Sequence, residues 1–201
     1  MRSRAALDLS ELPVVAYSHR APIWWGTVTL IAIEGMAFAM VLAGYFYLRM
    51  GYRDWPPPDA ARPGWIAAAV NVLLLALICL PMRRIQVEAL TAEPRRIVRL
   101  LVISAGLTAF SLVVRVFEFR ALNALWHEHS YGSVVWGLVF LHTFHLAGNL
   151  GETSALALHI AKKGLDEHHR VDPAVNSLYW YFVFFSWVVL ASVIYFVGPL
   201  L

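Results

Sequence analysis

The groups with the greatest capacity for chemistry are a carboxyl and two imidazoles in apolar surroundings. Glu34 is the one charged side chain between Ile23 and Leu48, and His142 and His145 stand three apart in the apolar block Tyr131 to Ala161. A charge at the centre of a spanning helix costs roughly 2.5–3.5 kcal/mol, so a carboxyl there must be paired, neutral or turned towards protein. Glu34 lies eleven residues into its block, about 17 Å at helical rise, which is close to mid-membrane. One reading is proton handling or contact with a partner subunit. The other is a neutral carboxyl hydrogen-bonded to a neighbouring helix.

The histidine spacing sets both rings on one helix face, where they could share a metal or a hydrogen-bond network. Two donors fall short of a metal site: zinc or copper needs more, and a di-iron bundle wants two Glu-x-x-His pairs, which the sequence lacks. A buried hydrogen-bonded pair is expected, with no metal, no cofactor and no catalytic residue in this chain. His127 and His129 belong to one side of the bilayer and His168 and His169 to the other, about 30 Å apart. Arg115 and Glu118 are spaced to pair on one face near the end of a span, and both could snorkel to the interface. Asn71, Asn149 and Glu152 read as polar glue between helices.

The elements that must position these groups are membrane spans. The 201 residues are 60% hydrophobic and 14% charged, with mean hydropathy +0.63, against about 45–50% and 25% in soluble domains. We read an all-α integral membrane bundle of five transmembrane helices: a polar cytoplasmic tail over residues 1–21, then a single membrane domain over residues 22–201. The spans fall at about 23–48, 64–82, 97–119, 131–161 and 174–201. The tail has no uninterrupted apolar core and does not read as a signal peptide. Trp55-Pro56-Pro57-Pro58 ends the first span and stiffens its loop. The aromatic run from Trp180 to Trp187 suits a lipid or subunit contact face.

Eleven Lys and Arg fall in the tail and the second and fourth loops, and four in the first and third. That excess places the N-terminus in the cytoplasm and the C-terminus outside. The positive charges sit beside apolar blocks, where they orient a membrane protein, so nucleic-acid binding is excluded. The single cysteine, Cys79, rules out an internal disulfide framework and a cysteine-based zinc site. No nucleotide loop, dinucleotide fingerprint, zincin motif or nucleophile elbow is present.

In order and loop length the chain resembles subunit III of the heme-copper terminal oxidases, in the five-helix form lacking the first two helices of the seven-helix version. Ile33-Glu34-Gly35-Met36-Ala37-Phe38 is similar to that family's Ser-Glu-Val-Met-Phe-Phe segment. Trp55-Pro56-Pro57-Pro58 and Asn71-Val72-Leu73-Leu74 resemble its Trp-Pro-Pro loop and the Asn-Thr-x-x-Leu opening of its next helix. Tyr131-Gly132-Ser133 through Phe140-Leu141-His142-Thr143-Phe144-His145 resembles its Tyr-Gly-Ser to Phe-His-Gly-Leu-His stretch, and Glu118 falls where the family often places a glutamate. The family's Trp-His-Phe-Val-Asp has become Trp180-Tyr181-Phe182-Val183-Phe184, so no role of that His and Asp carries over. Thr143-Phe144 replaces Gly-Leu, adding bulk where two helices would pack closely. The lipid cleft of seven-helix members is not expected without their first two helices.

The resemblance implies an accessory subunit of a proton-pumping oxidase of the aerobic respiratory chain, multi-pass in the bacterial cytoplasmic membrane. It would hold no heme or copper, those belonging to partners, and would pack against catalytic subunit I and subunit II among membrane lipids, supporting proton uptake. Glu34 is the foremost residue, with His142, His145 and Glu118 as expected polar associates in proton handling or subunit contact. The alternatives are a subunit-III-like accessory of a nitric oxide reductase and a free-standing proton-coupled transporter. The latter has no visible inverted repeat to support it.

Overall fold

The computed structural model describes residues 22–58, 60–89, 91–165 and 169–200. The expected tail over residues 1–21 and His168 lie outside the described residues. Five long helices follow one another: α1 (Pro22–Met50), α2 (Ile66–Glu88), α3 (Pro94–Ala121), α4 (Ser130–Lys163) and α5 (Asp172–Ser192). A π-helical turn, Val193–Val197, and a last short helix, α6 (Gly198–Leu200), continue α5 to the end. The described residues contain no strand. All five long helices have the length and apolarity to cross a membrane.

Local chemistry accounts for the helix ends. Pro94 and Pro173 stand in the first turns of α3 and α5, where a missing N–H costs nothing. His129 caps α4, its Nδ1 accepting from the Gly132 amide at 2.9 Å. Gly164, at φ +81°, ends that helix. The largest departure from the expected spans is α2, which runs through Pro81 and past Met82 to Glu88. Apolarity stops at Met82, but Arg83, Arg84, Gln86 and Glu88 are good helix formers, so the helix outlasts the apolar zone.

Helices α2 to α5 make the core. Leu75, Ile78, Met82 and Ile85 of α2 pack with Ile97 and Leu101 of α3, Val135, Leu138 and Leu146 of α4, and Trp180, Val183 and Trp187 of α5. Helix α1 leans on α4 and α5 and buries only Phe38 and Tyr45. Helix α3 is polar on its inner side: Ser104, Thr108, Ser111, Arg115 and Glu118 are buried, and Val102, Ile103, Phe110, Val113 and Phe117 are exposed. That inversion suits a lipid surround, where apolar side chains need no hiding and polar ones hold helices together.

The expected snorkelling of Arg115 and Glu118 does not occur. Their side chains are 1% and 0% exposed, because each finds partners inside the bundle that no aqueous route could better.

Candidate functional site

Two buried polar assemblies lie side by side, and His142 and His145 belong to different ones. The first ties four helices. Glu118 Oε2 accepts from Arg115 Nη1 at 2.8 Å and from Asn71 Nδ2 at 2.9 Å. Its Oε1 accepts from the Tyr195 hydroxyl at 2.8 Å. Ser111 donates to Asn71 Oδ1 at 2.7 Å. The Arg115 guanidinium lies 3.7 Å from the centroid of the Trp187 ring, a cation–π contact, and its Nη2 is 3.1 Å from His142 Nδ1. The π-helical turn carries Tyr195 to Glu118, a re-aiming for which such bulges are known.

Because a guanidinium can only donate, Nδ1 of His142 must be an unprotonated acceptor. Its Nε2 lies 3.0 Å from the Val183 carbonyl, which can only accept, so that nitrogen carries the hydrogen. Both nitrogens are committed. His142 is a neutral brace for Arg115, with no lone pair left for a metal or for proton exchange.

The second assembly joins α1, α4 and α5. The Tyr179 hydroxyl donates a short hydrogen bond to Glu34 Oε2. His145 Nε2 lies 3.8 Å from the same oxygen, with side-chain exposures of 13% for His145 and 22% for Glu34. His145 Nδ1 is 2.7 Å from the Leu141 carbonyl, so it carries a hydrogen and leaves Nε2 as the basic nitrogen facing the carboxyl. Phe38, one turn after Glu34, covers the His145 ring at 4.9 Å between centroids.

Of the expected associates of Glu34, only His145 reaches it; Glu118 and His142 belong to the Arg115 assembly. Tyr179 and Tyr195 do not stand out in the sequence because an aromatic residue in a span is ordinarily a lipid or packing residue, and Trp187, expected on a lipid or subunit contact face, is instead fully buried. The one sequence signal was depth: Tyr179 follows Asp172 by two turns, level with mid-membrane groups. Among the described residues, no three His, Cys, Asp or Glu side chains gather as a metal site. Phe144 is 69% exposed, so its bulk points away from the bundle, and half-buried Thr143 donates to the Val139 carbonyl of its own helix at 2.6 Å.

The first loop closes the end of the bundle opposite the α2–α3 turn. Trp55 is buried, its indole N–H donates to the Tyr45 hydroxyl at 2.8 Å, and its ring meets Tyr131 edge-on at 5.0 Å. The Trp-Pro-Pro-Pro and Tyr-Gly-Ser segments are thus spatial neighbours.

Comparison with known proteins gives the same assignment. Over 183 residues, 86% of each chain, this sequence is 29% identical to proteins named "Probable cytochrome c oxidase subunit 3" from Mycobacterium tuberculosis and Mycobacterium bovis. The chain is a homologue of cytochrome c oxidase subunit 3. A cytochrome c oxidase subunit 3 from Bacillus subtilis is 32% identical over 94 residues, 43% of this chain and 44% of that one. No family model matches.

Proposed function

We propose that this chain is an accessory subunit III of a heme-copper oxidase, packed on catalytic subunit I and subunit II in a bacterial cytoplasmic membrane. The observation that carries the reading is the subunit 3 match over 86% of the chain. The chain holds no heme or copper of its own; its partners carry the oxygen chemistry. Its N-terminus is cytoplasmic and its C-terminus outside, an orientation supported by the eleven-to-four distribution of Lys and Arg.

Within that role, Glu34 and His145 form the proton-handling pair, with Tyr179 fixing the carboxyl. What supports this is the free Nε2 of His145 facing a partly exposed carboxyl. Glu118 and His142 serve the fold by bonding the two terminal nitrogens of Arg115. The test is purification of the tagged chain from its native membrane. Co-purification with a heme-bearing catalytic chain that reduces oxygen is expected, together with no heme absorbance from the isolated chain. Stoichiometric heme in the lone chain, or association with a nitric oxide reductase, would overturn the assignment. Glu34→Gln should assemble normally and change steady-state turnover or its pH profile; unaltered kinetics would reduce Glu34 to helix glue.

A further inference from the structure

Helix α4 carries an intramembrane carboxyl that neither assembly uses. Glu152 is exposed and precedes Lys162, the first cation of α4, by ten residues, about 15 Å of helix. It follows His145 by seven residues, so two turns, or about 10 Å, separate it from the level of Glu34. Among the described residues no hydrogen bond or ion pair reaches it; Tyr179 is near enough to feel its charge. Against lipid, a carboxylate below the headgroups is unfavourable without a cation beside it. No cation on its own face of α4 stands at that depth to offset this.

The surroundings of Glu152 are equally unexplained by the chain itself. Gly148 and Gly151 are exposed beside it, and a Cβ added at either would meet nothing within 4 Å. A glycine in a helix interior is less favourable than alanine. No internal close approach requires these two. With Ala155 they leave a shallow, small-residue face around a charge, which would let a second helix backbone come near.

We propose that the α4 face carrying Glu152, Gly148, Gly151 and Ala155 docks a transmembrane helix of the oxidase catalytic subunit, one that presents an arginine or lysine to Glu152. Charge complementarity selects this occupant. A second copy of this chain packed on the same face would set Glu152 against Glu152. A lipid tail offers no cation. The proposal rests on the subunit III reading for its partner, and it names the surface that reading leaves open.

The test places a benzophenone side chain at Gly148, Gly151 or Ala155, and separately at the lipid-facing positions Leu73 and Val102, in the full chain in native membranes. After irradiation, adducts are mapped by mass spectrometry. The α4 positions should yield a heme-copper oxidase catalytic chain, joined within a span bearing Arg or Lys, and the two others should not. Glu152→Gln, with unchanged thermal stability, should lower the fraction of chain retained with the oxidase in detergent at least about tenfold, some 1.4 kcal/mol. Oxidase adducts from Leu73 or Val102 but not from α4 would overturn the docking face and leave the subunit III reading standing. Adducts from α4 only to lipid, to a second copy or to this chain's own tail would overturn it too. No oxidase adduct from any position, with none co-purifying, would remove the reading and the docking face together.

Discussion

Removing the Glu118 side chain should harm the fold more than removing Arg115, although the two share one 2.8 Å ion pair. In Glu118→Leu the guanidinium keeps its charge, since arginine does not deprotonate in proteins, and it is left unpaired at 1% exposure. The Asn71 amide and the Tyr195 hydroxyl lose their acceptor with it. Breaking a buried pair from one side costs about 3–5 kcal/mol. In Arg115→Met the remaining carboxyl can take up a proton and keeps Asn71 and Tyr195, so the cost should be about 1–3 kcal/mol, the penalty for orphaned polar groups.

Cys79, the one cysteine of the chain and half-buried on α2, gives a native readout: a thiol-reactive dye follows its unmasking as the purified protein is heated in detergent. At about 2–4 °C per kcal/mol for a chain of this size, Glu118→Leu should lower the midpoint by about 6–20 °C and Arg115→Met by clearly less. Arg115→Met with Glu118→Leu should fall short of the summed single effects by at least about 1.5 kcal/mol, as contacting residues do. Additivity within about 0.5 kcal/mol, or a larger loss for Arg115→Met, would refute the reasoning.

Other outcomes follow from the same geometry. Tyr179→Phe should lower the midpoint by about 3–12 °C, because a single hydrogen bond to a charged group is worth about 1.5–3 kcal/mol. In the assembled complex it should alter turnover in the direction of Glu34→Gln; identical turnover to the parent would separate Tyr179 from Glu34. Gly198→Ala should destabilise by about 1–3 kcal/mol, because its Cβ would fall 1.8 Å from the Tyr45 hydroxyl oxygen, whereas Gly44→Ala meets nothing within 4 Å and should stabilise in the same melt. Gly132→Ala, with its Cβ 2.2 Å from the Leu125 carbonyl oxygen, should cost more than His129→Ala, which loses only a cap of about 1 kcal/mol.

The spans were legible because bilayer thickness imposes a minimum run of apolar residues, and every helix carries such a run. Their ends were less so: α2 continues past Met82 because helix propensity does not stop where apolarity does. Glu34 and His145 were legible as a site because charge and imidazole in an apolar block are rare enough to need a reason. Their third member was not, since nothing in the residue type of Tyr179 separates a hydrogen-bond donor from a packing aromatic. The burial of Arg115 and Glu118 was equally invisible. Snorkelling and inward pairing place the same residues at the same helix end, and the choice depends on Asn71, Tyr195 and Trp187 arriving from two other elements.

The two histidines sharpen the point, since residue type and spacing make them equivalent. What separates them is the second nitrogen. At His142 an arginine donor and a backbone acceptor fix both ring nitrogens and leave no proton to exchange. At His145 one nitrogen is fixed by the Leu141 carbonyl, and the other faces a carboxyl 3.8 Å away. The division follows the packing. The committed histidine lies among α3, α4 and α5, where an unpaired guanidinium would be costly. The uncommitted one faces α1, the helix that buries only two side chains. Weakly held elements open locally at lower free energy than the core, so a group that must exchange a proton is better placed on such a seam. The fold thus keeps the Arg115–Glu118 ion pair inside four tight helices and sets Glu34 and His145 against the fifth.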